Sequence, residues 1–203
     1  ILLSPPRFIT NEKSVKETLL KAKEKGFSHI YCNNIAHLET AKNLGFICHA
    51  GFGMNIANSY SIDMIKDMGA TDAELSFEMK LSQISSLSGD IKRGIITYGR
   101  LPLMLTRNCP IKSQIGCKNC KKILTDRKGA KFPVYCYGDY AEILNCNILY
   151  LGDKKDEIKG VDFMTMLFYD ETAEEINKVV NDFINEKNPP ADFTRGLYMR
   201  GVI

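Results

Sequence analysis

Tryptophan is absent from this 203-residue chain, and histidine occurs only as His29, His37 and His49. The scarcity of imidazole narrows the chemistry. No His-Glu-x-x-His run and no Gly-x-Ser-x-Gly elbow occurs, which leaves the sequence without the signatures of a zincin or a serine hydrolase. Cys48 and His49 are neighbours, but in a strand adjacent side chains point to opposite faces and cannot act as a pair. No apolar run reaches the ~18 residues of a membrane-spanning helix. Ile1-Leu2-Leu3 is too short, and too poor in basic flanks, for a secretory leader. A strong excess of one charge is missing too: the net charge of +3 is too small to demand a nucleic-acid partner by itself. The chain opens on Ile1 rather than Met, so we expect a processed product, a truncated chain or an excised piece of something longer.

Cysteine is what the chain does have. Five of its seven cysteines fall between Cys109 and Cys146, and four read Cys109-x7-Cys117-x2-Cys120-x15-Cys136. The short polar turn Gly116-Cys117-Lys118-Asn119-Cys120 can aim two thiolates at one ion. Cys109 and Cys136 then complete a four-sulfur shell, suited to zinc or to an iron–sulfur cluster. A disulfide framework fits less well, because the count is odd and a chain of this length can build a core without staples. Cys146 is the spare thiol and the alternative to Cys136. Cys32 and Cys48 end short apolar runs and read as small buried hydrophobes. Reduced, clustered cysteines and the lack of an export signal point to the cytosol. Lys112, Lys118, Lys121, Lys122, Arg127, Lys128 and Lys131 surround the cluster; such a run either keeps a loop wet or faces an RNA backbone.

Residues 1–100 alternate strand-like and helix-like segments. Strands are expected at Leu2–Ser4, Phe27–Cys32, Phe46–His49, Ala73–Ser76 and Gly94–Tyr98. Helices are expected after a Ser14–Glu17 capping box, over Ile35–Leu44, Ile62–Met68 and Leu81–Leu87. Such alternation makes a parallel sheet with helices outside. An eight-fold barrel takes ~250 residues, so four or five strands look like its second half. The fold class expected is α/β: a partial TIM-like barrel over 1–100, then a Cys-rich metal-binding α/β region over 101–203. In the latter, Phe132–Tyr137, Ile148–Leu151 and Val161–Tyr169 read as strands, and a helix follows Asp170 with Thr172 and Glu175 as its capping box. Phe193–Gly196 reads as an exposed tail. Half a barrel has open edges, and we expect them to be exposed or covered by the tail or by a second copy of the chain, as a homo-oligomer.

Active sites of parallel α/β folds gather at the strand C-termini. His49, Glu78 and Arg100 each follow or end a predicted strand. Glu78 is the candidate acid/base, His49 a positioning donor, and Arg100 the partner of an anionic group, since guanidinium matches carboxylate or phosphate in a fork. The plain alternatives are a hydrogen-bonded structural histidine, a helix-dipole carboxylate, and an Arg100–Glu78 salt bridge. In Met54–Ser59, Asn55, Asn58 and Ser59 either bind a ligand or only cap the next helix; capping is favoured, since Asn and Ser are preferred there.

Several strings read together: Asn55-Ile56-Ala57-Asn58-Ser59, Glu74-Leu75-Ser76-Phe77-Glu78, Tyr98-Gly99-Arg100-Leu101-Pro102-Leu103-Met104, Arg107-Asn108-Cys109-Pro110, Thr125-Asp126-Arg127-Lys128-Gly129 and Phe193-Thr194-Arg195-Gly196. In order and spacing this resembles the C-terminal part of peptidase family U32, the collagenase-like proteases. The resemblance implies a TIM-like barrel followed by a cysteine-containing region. It also implies a 4Fe–4S cluster on four cysteines, with zinc as the alternative, and work in RNA or ubiquinone hydroxylation rather than proteolysis. Aligned on Gly99, the family signature's Glu, aromatic and first cysteine fall on Gly94, Ile96 and Pro102; only Cys109 keeps its place. Cys117, Cys120 and Cys136 must then supply the other ligands. The first half of the barrel is expected in the parent protein.

Overall fold

The computed structural model describes residues 1–186 and 188–201. In chain order the elements are α1 (Glu12–Glu24), β1 (His29–Cys32), α2 (Ile35–Asn43), β2 (Ile47–Ala50), α3 (Ser59–Asp67), β3 (Ala70–Glu74), α4 (Leu81–Ser85), β4 (Lys92–Gly99), β5 (Pro102–Thr106), α5 (Pro110–Ile115), β6 (Ile123–Thr125), β7 (Lys131–Cys136), β8 (Ala141–Leu144), β9 (Ile148–Tyr150), β10 (Phe163–Met166), α6 (Ala173–Ile184) and β11 (Phe193–Thr194). They form two compact units. The first takes Ile1–Thr97, Lys154–Met166 and the residues from Arg195 onward; the second takes Tyr98–Asp153 and Leu167–Thr194.

The first unit is built on parallel pairing of β1 with β2, β2 with β3 and β3 with β4. Leu3 extends this beyond β1 as a single parallel bridge to Ile30, where a full strand was expected. The strands alternate. Ile30, Cys32, Cys48, Ala50 and Ala73 are buried beneath α2 and α3, which supply Leu38, Ala41, Ile62 and Ile65. Burying such side chains stabilises by roughly 1.5–3 kcal/mol each before entropy is counted. The opposite face carries His29, Tyr31, His49, Asp72 and Glu74, by the period of two. β10 pairs with β4 and lays the Phe163 ring against Gly94, where any Cβ would come within 2.0 Å of it. The parallel βα repeat is therefore present, but among the described residues the strands do not close into a barrel.

Helix starts follow local chemistry. Asn58 caps α3 through the Ser61 amide at 2.8 Å. Thr172 and Glu175 form the expected capping box of α6. At α1 the cap is Asn11, accepting from the Ser14 amide at 3.2 Å; the helix starts before the expected Ser14 box because Asn is at least as good an N-cap as Ser.

In the second unit the cysteine-bearing stretch is mainly antiparallel, ordered β5-β8-β7-β6. Ile111, Val134, Ala141 and Ile143 form its small core, with Cys109, Cys120, Leu124 and Phe132 packed against it. Tyr98 and Gly99, the end of β4, pair antiparallel with Tyr150 and Leu149 of β9. The expected tail at Phe193 is instead the strand β11, parallel to β9. In the first unit, the strand expected over Val161–Tyr169 shortens to Phe163–Met166.

Candidate functional site

In the second unit, Cys109 precedes α5, whose first residue is Pro110; the fixed φ of proline suits that position. Cys117 and Cys120 lie on the following turn, where the Cys120 amide donates to the Cys117 carbonyl at 3.2 Å. Cys136 ends β7, opposite Ala141 of β8. All seven cysteines are free. Burial pushes the Cys136 thiol up, and the neighbouring Cys109 adds to the effect. Cys109 and Cys120 pack against the same small core. The Cys120 sulfur also accepts from the Lys122 amide at 3.3 Å. Cys117 is exposed, and Cys146 turns its thiol toward Asn145 at 3.6 Å. Among the described residues, no group of three or more His, Cys, Asp or Glu side chains is arranged to hold an ion. The donor set fits zinc or an iron–sulfur cluster in its chemistry; among the described residues the expected four-sulfur shell is not formed.

Cations lie between and beside these cysteines in sequence: Lys112, Lys118, Lys121, Lys122, Arg127, Lys128 and Lys131 are all exposed. Beside Cys136, the half-exposed Tyr137 ring stacks on Tyr140 with centroids 4.6 Å apart and planes 10° from parallel. Arg100, expected to meet an anion, donates Nη1 to the Asn145 carbonyl at 3.0 Å and to that of Cys146. It holds the loop between β8 and β9.

In the first unit, His49 hydrogen-bonds on both sides. Its Nδ1 meets Asp72 Oδ2 at 2.7 Å and its Nε2 meets His29 Nδ1 at 2.9 Å. Glu78 lies on an exposed turn after β3, and its carboxylate makes no hydrogen bond or ion pair among the described residues. The carboxylate that the fold encloses is Glu74. It is fully buried, and its Oε2 accepts from the Tyr31 hydroxyl and from the Phe52 amide at 3.1 Å. Burial raises its pKa above the usual carboxylate range; Thr165, Tyr31 and the Phe52 amide partly offset this. The Tyr198 phenol, also buried, is pushed up by burial and then by the charge of Glu74. The loop after β2 makes this arrangement possible. The Gly53 amide donates to Asn33 Oδ1 at 3.1 Å, and a Cβ at Gly53 would lie 2.2 Å from the Asn33 carbonyl oxygen.

Sequence reasoning passed over Glu74, Tyr31, His29 and Asp72. The usable signal was the strand period: Asp72 and Glu74 alternate with the buried Ala73, and His29 alternates with Ile30.

Residues 8–122 match the family model described as peptidase family U32. No curated protein and no solved structure matches the chain.

Proposed function

The chain belongs to peptidase family U32, and from that premise we propose that it is part of an enzyme that modifies RNA by a hydroxylation-type reaction and depends on a 4Fe–4S cluster. The observation that carries this reading is the packing of Cys109 and Cys120 against the core of one small antiparallel sheet, with Cys117 on the same turn as Cys120 and Cys136 at the end of β7 in that sheet. These four cysteines are the proposed ligands. Such a cluster supplies electron transfer when bound.

The chain's own residues would do the rest. The seven exposed cations offer contacts to a phosphate backbone. Tyr137, braced on Tyr140, presents an aromatic ring beside Cys136 on which an unpaired base can stack. Arg100 positions the Cys146 loop through two backbone carbonyls, and its guanidinium is the proposed contact for an anionic group. Glu78 is the proposed acid/base and His49 a proposed positioning group. The enzyme is proposed to work in the cytoplasm, together with the rest of its parent protein.

The test is a deletion strain of the parent gene, examined for loss of a hydroxylated nucleoside. Loss that is restored by the parent gene but not by its Cys120→Ser form supports the reading. Unchanged RNA modifications, together with cleavage of peptides by the metal-replete parent, would favour the peptidase that the family name implies. One mole of zinc per chain under anaerobic purification would make the region a structural zinc module instead.

A further inference from the structure

His29, His49 and Asp72 sit on three neighbouring strands, on the face of the sheet opposite α2 and α3. In register, His49 stands opposite Tyr31 on one side and Asp72 on the other. The hydrogen bonds make a chain: Asp72 Oδ2 to His49 Nδ1 at 2.7 Å, then His49 Nε2 to His29 Nδ1 at 2.9 Å. His49 and Asp72 keep side-chain exposures of 18% and 21%, so solvent reaches them.

The proton positions follow from the partners. An ionised carboxylate only accepts, so His49 must carry its proton on Nδ1. A neutral His49 then has a bare Nε2, which accepts. His29 must therefore donate from Nδ1, and its own Nε2 is left with a free lone pair. Among the described residues that nitrogen has no hydrogen-bond partner, and the ring is partly exposed. A shared metal is a poor fit: the two ring nitrogens are joined by a directed hydrogen bond rather than converging on a third point, and no group of three or more potential ligands is arranged for an ion among the described residues.

We propose that Asp72, His49 and His29 form an acid–base relay whose working end, His29 Nε2, takes a proton from a water or hydroxyl-bearing ligand held on this face of the sheet. The proton passes from the ligand oxygen to His29 Nε2. The Nδ1 proton of His29 moves to His49 Nε2, and the positive charge rests on His49, hydrogen-bonded to Asp72. The ligand is left as its conjugate base. His29 is the contacting base; His49 and Asp72 are positioning residues that act through it. Tyr31 beside His49, Glu74 two residues beyond Asp72, and Lys92 opposite Asp72 in register are the other titratable groups of these strands, so one phenol, one carboxylate and one cation flank the relay. The relay is independent of the cysteine cluster and of the RNA reading.

The test uses the intact chain with ring-labelled histidines. Two-bond proton–nitrogen spectra, taken at a pH where the rings are neutral, should show both His29 and His49 as Nδ1–H tautomers. Asp72→Asn should disturb the His29 signals although the two residues do not touch. Diethyl pyrocarbonate gives a second readout. His29 Nε2 forms a bond to the reagent's carbonyl carbon, an ethyl carbonate leaves, and the Nδ1 proton passes to His49. Mass spectrometry should find His29 acylated first, at a rate roughly tenfold lower in Asp72→Asn. An Nε2–H tautomer at His29 in the unaltered protein, or equal acylation rates with and without Asp72, would overturn the proposal. If Asp72→Asn fails to fold, the tautomer of His29 in the unaltered protein decides alone.

Discussion

The Tyr31 hydroxyl donates to the Glu74 carboxylate across β2, from near the end of β1 to the end of β3. Forty-three residues of sequence separate the pair. The contact exists because Gly51 and Gly53 let the intervening loop close over Tyr31 and Asn33. A Cβ at Gly51 would lie 2.5 Å from the Tyr31 ring. The Phe52 amide is thereby aimed at the same carboxylate.

Glu74 should make the protein less stable as pH rises. Its folded pKa lies above the ordinary value of 4.5 because burial penalises the charged form. The unfolded chain therefore releases this proton first. The stability contributed by the neutral carboxyl is complete below pH 4.5 and is lost as pH climbs through the raised folded value. Glu74→Gln keeps the Oε acceptor for Tyr31 and Phe52 but cannot ionise. Its urea midpoint should exceed that of the unaltered protein at neutral pH and converge with it in acid. A gap independent of pH would contradict this account.

Gly53→Ala should destabilise the first unit by about 1–3 kcal/mol, the usual cost of overpacking. The added methyl meets a backbone carbonyl rather than a movable side-chain tip. Thermal unfolding measures it, and Gly129→Ala is a useful comparison. Gly129 has a positive φ of 85° but open space around it, so any cost there is backbone strain alone.

Thr172→Ala should cost about 1 kcal/mol through loss of the α6 cap. Thr172 accepts from the Glu175 amide at 3.3 Å, while the Glu175 carboxylate takes the Thr172 amide at 2.7 Å. Amide exchange in the first turn of α6 should quicken before the rest of the helix. Thr172→Ser should restore most of the protection.

Local signals were the legible ones. Short apolar runs near Gly marked β1, β2 and β4, and Thr172 with Glu175 marked α6, because both depend on neighbours a few residues away; β3 was expected over Ala73–Ser76 and lies at Ala70–Glu74. Non-local pairing was not legible. Phe193-Thr194 looks polar and terminal, yet pairs with Ile148-Leu149, and nothing nearby in sequence announces that partner. The hairpin strand β6 was missed for the same reason; its three residues Ile123–Thr125 gain their place from β7. In the site, the cysteine spacing is a local pattern, whereas the contact of Arg100 with the Asn145 and Cys146 carbonyls joins residues 45 and 46 apart and has no local signal. Gly94 stands where the resembled signature has Glu; Phe163, far along the chain, fills the space a side chain there would need.

Replacing Cys120 or Cys136 by Ser should release metal and loosen residues 109–136, because ligand binding and local folding are coupled. Cys146→Ser should do neither, since that thiol faces Asn145. Limited proteolysis of the metal-replete protein separates the two outcomes: new cuts in the turn around Cys117 are expected for the first pair only.

The most direct measurement is the iron, acid-labile sulfide and zinc content of the parent protein, purified and assayed without oxygen. The account expects iron and sulfide in equal amounts, near four of each per chain for one 4Fe–4S cluster, both lost in the Cys120→Ser form. Protein that folds normally under these conditions with neither iron nor sulfide, or with iron and sulfide unchanged after Cys120→Ser, would contradict it.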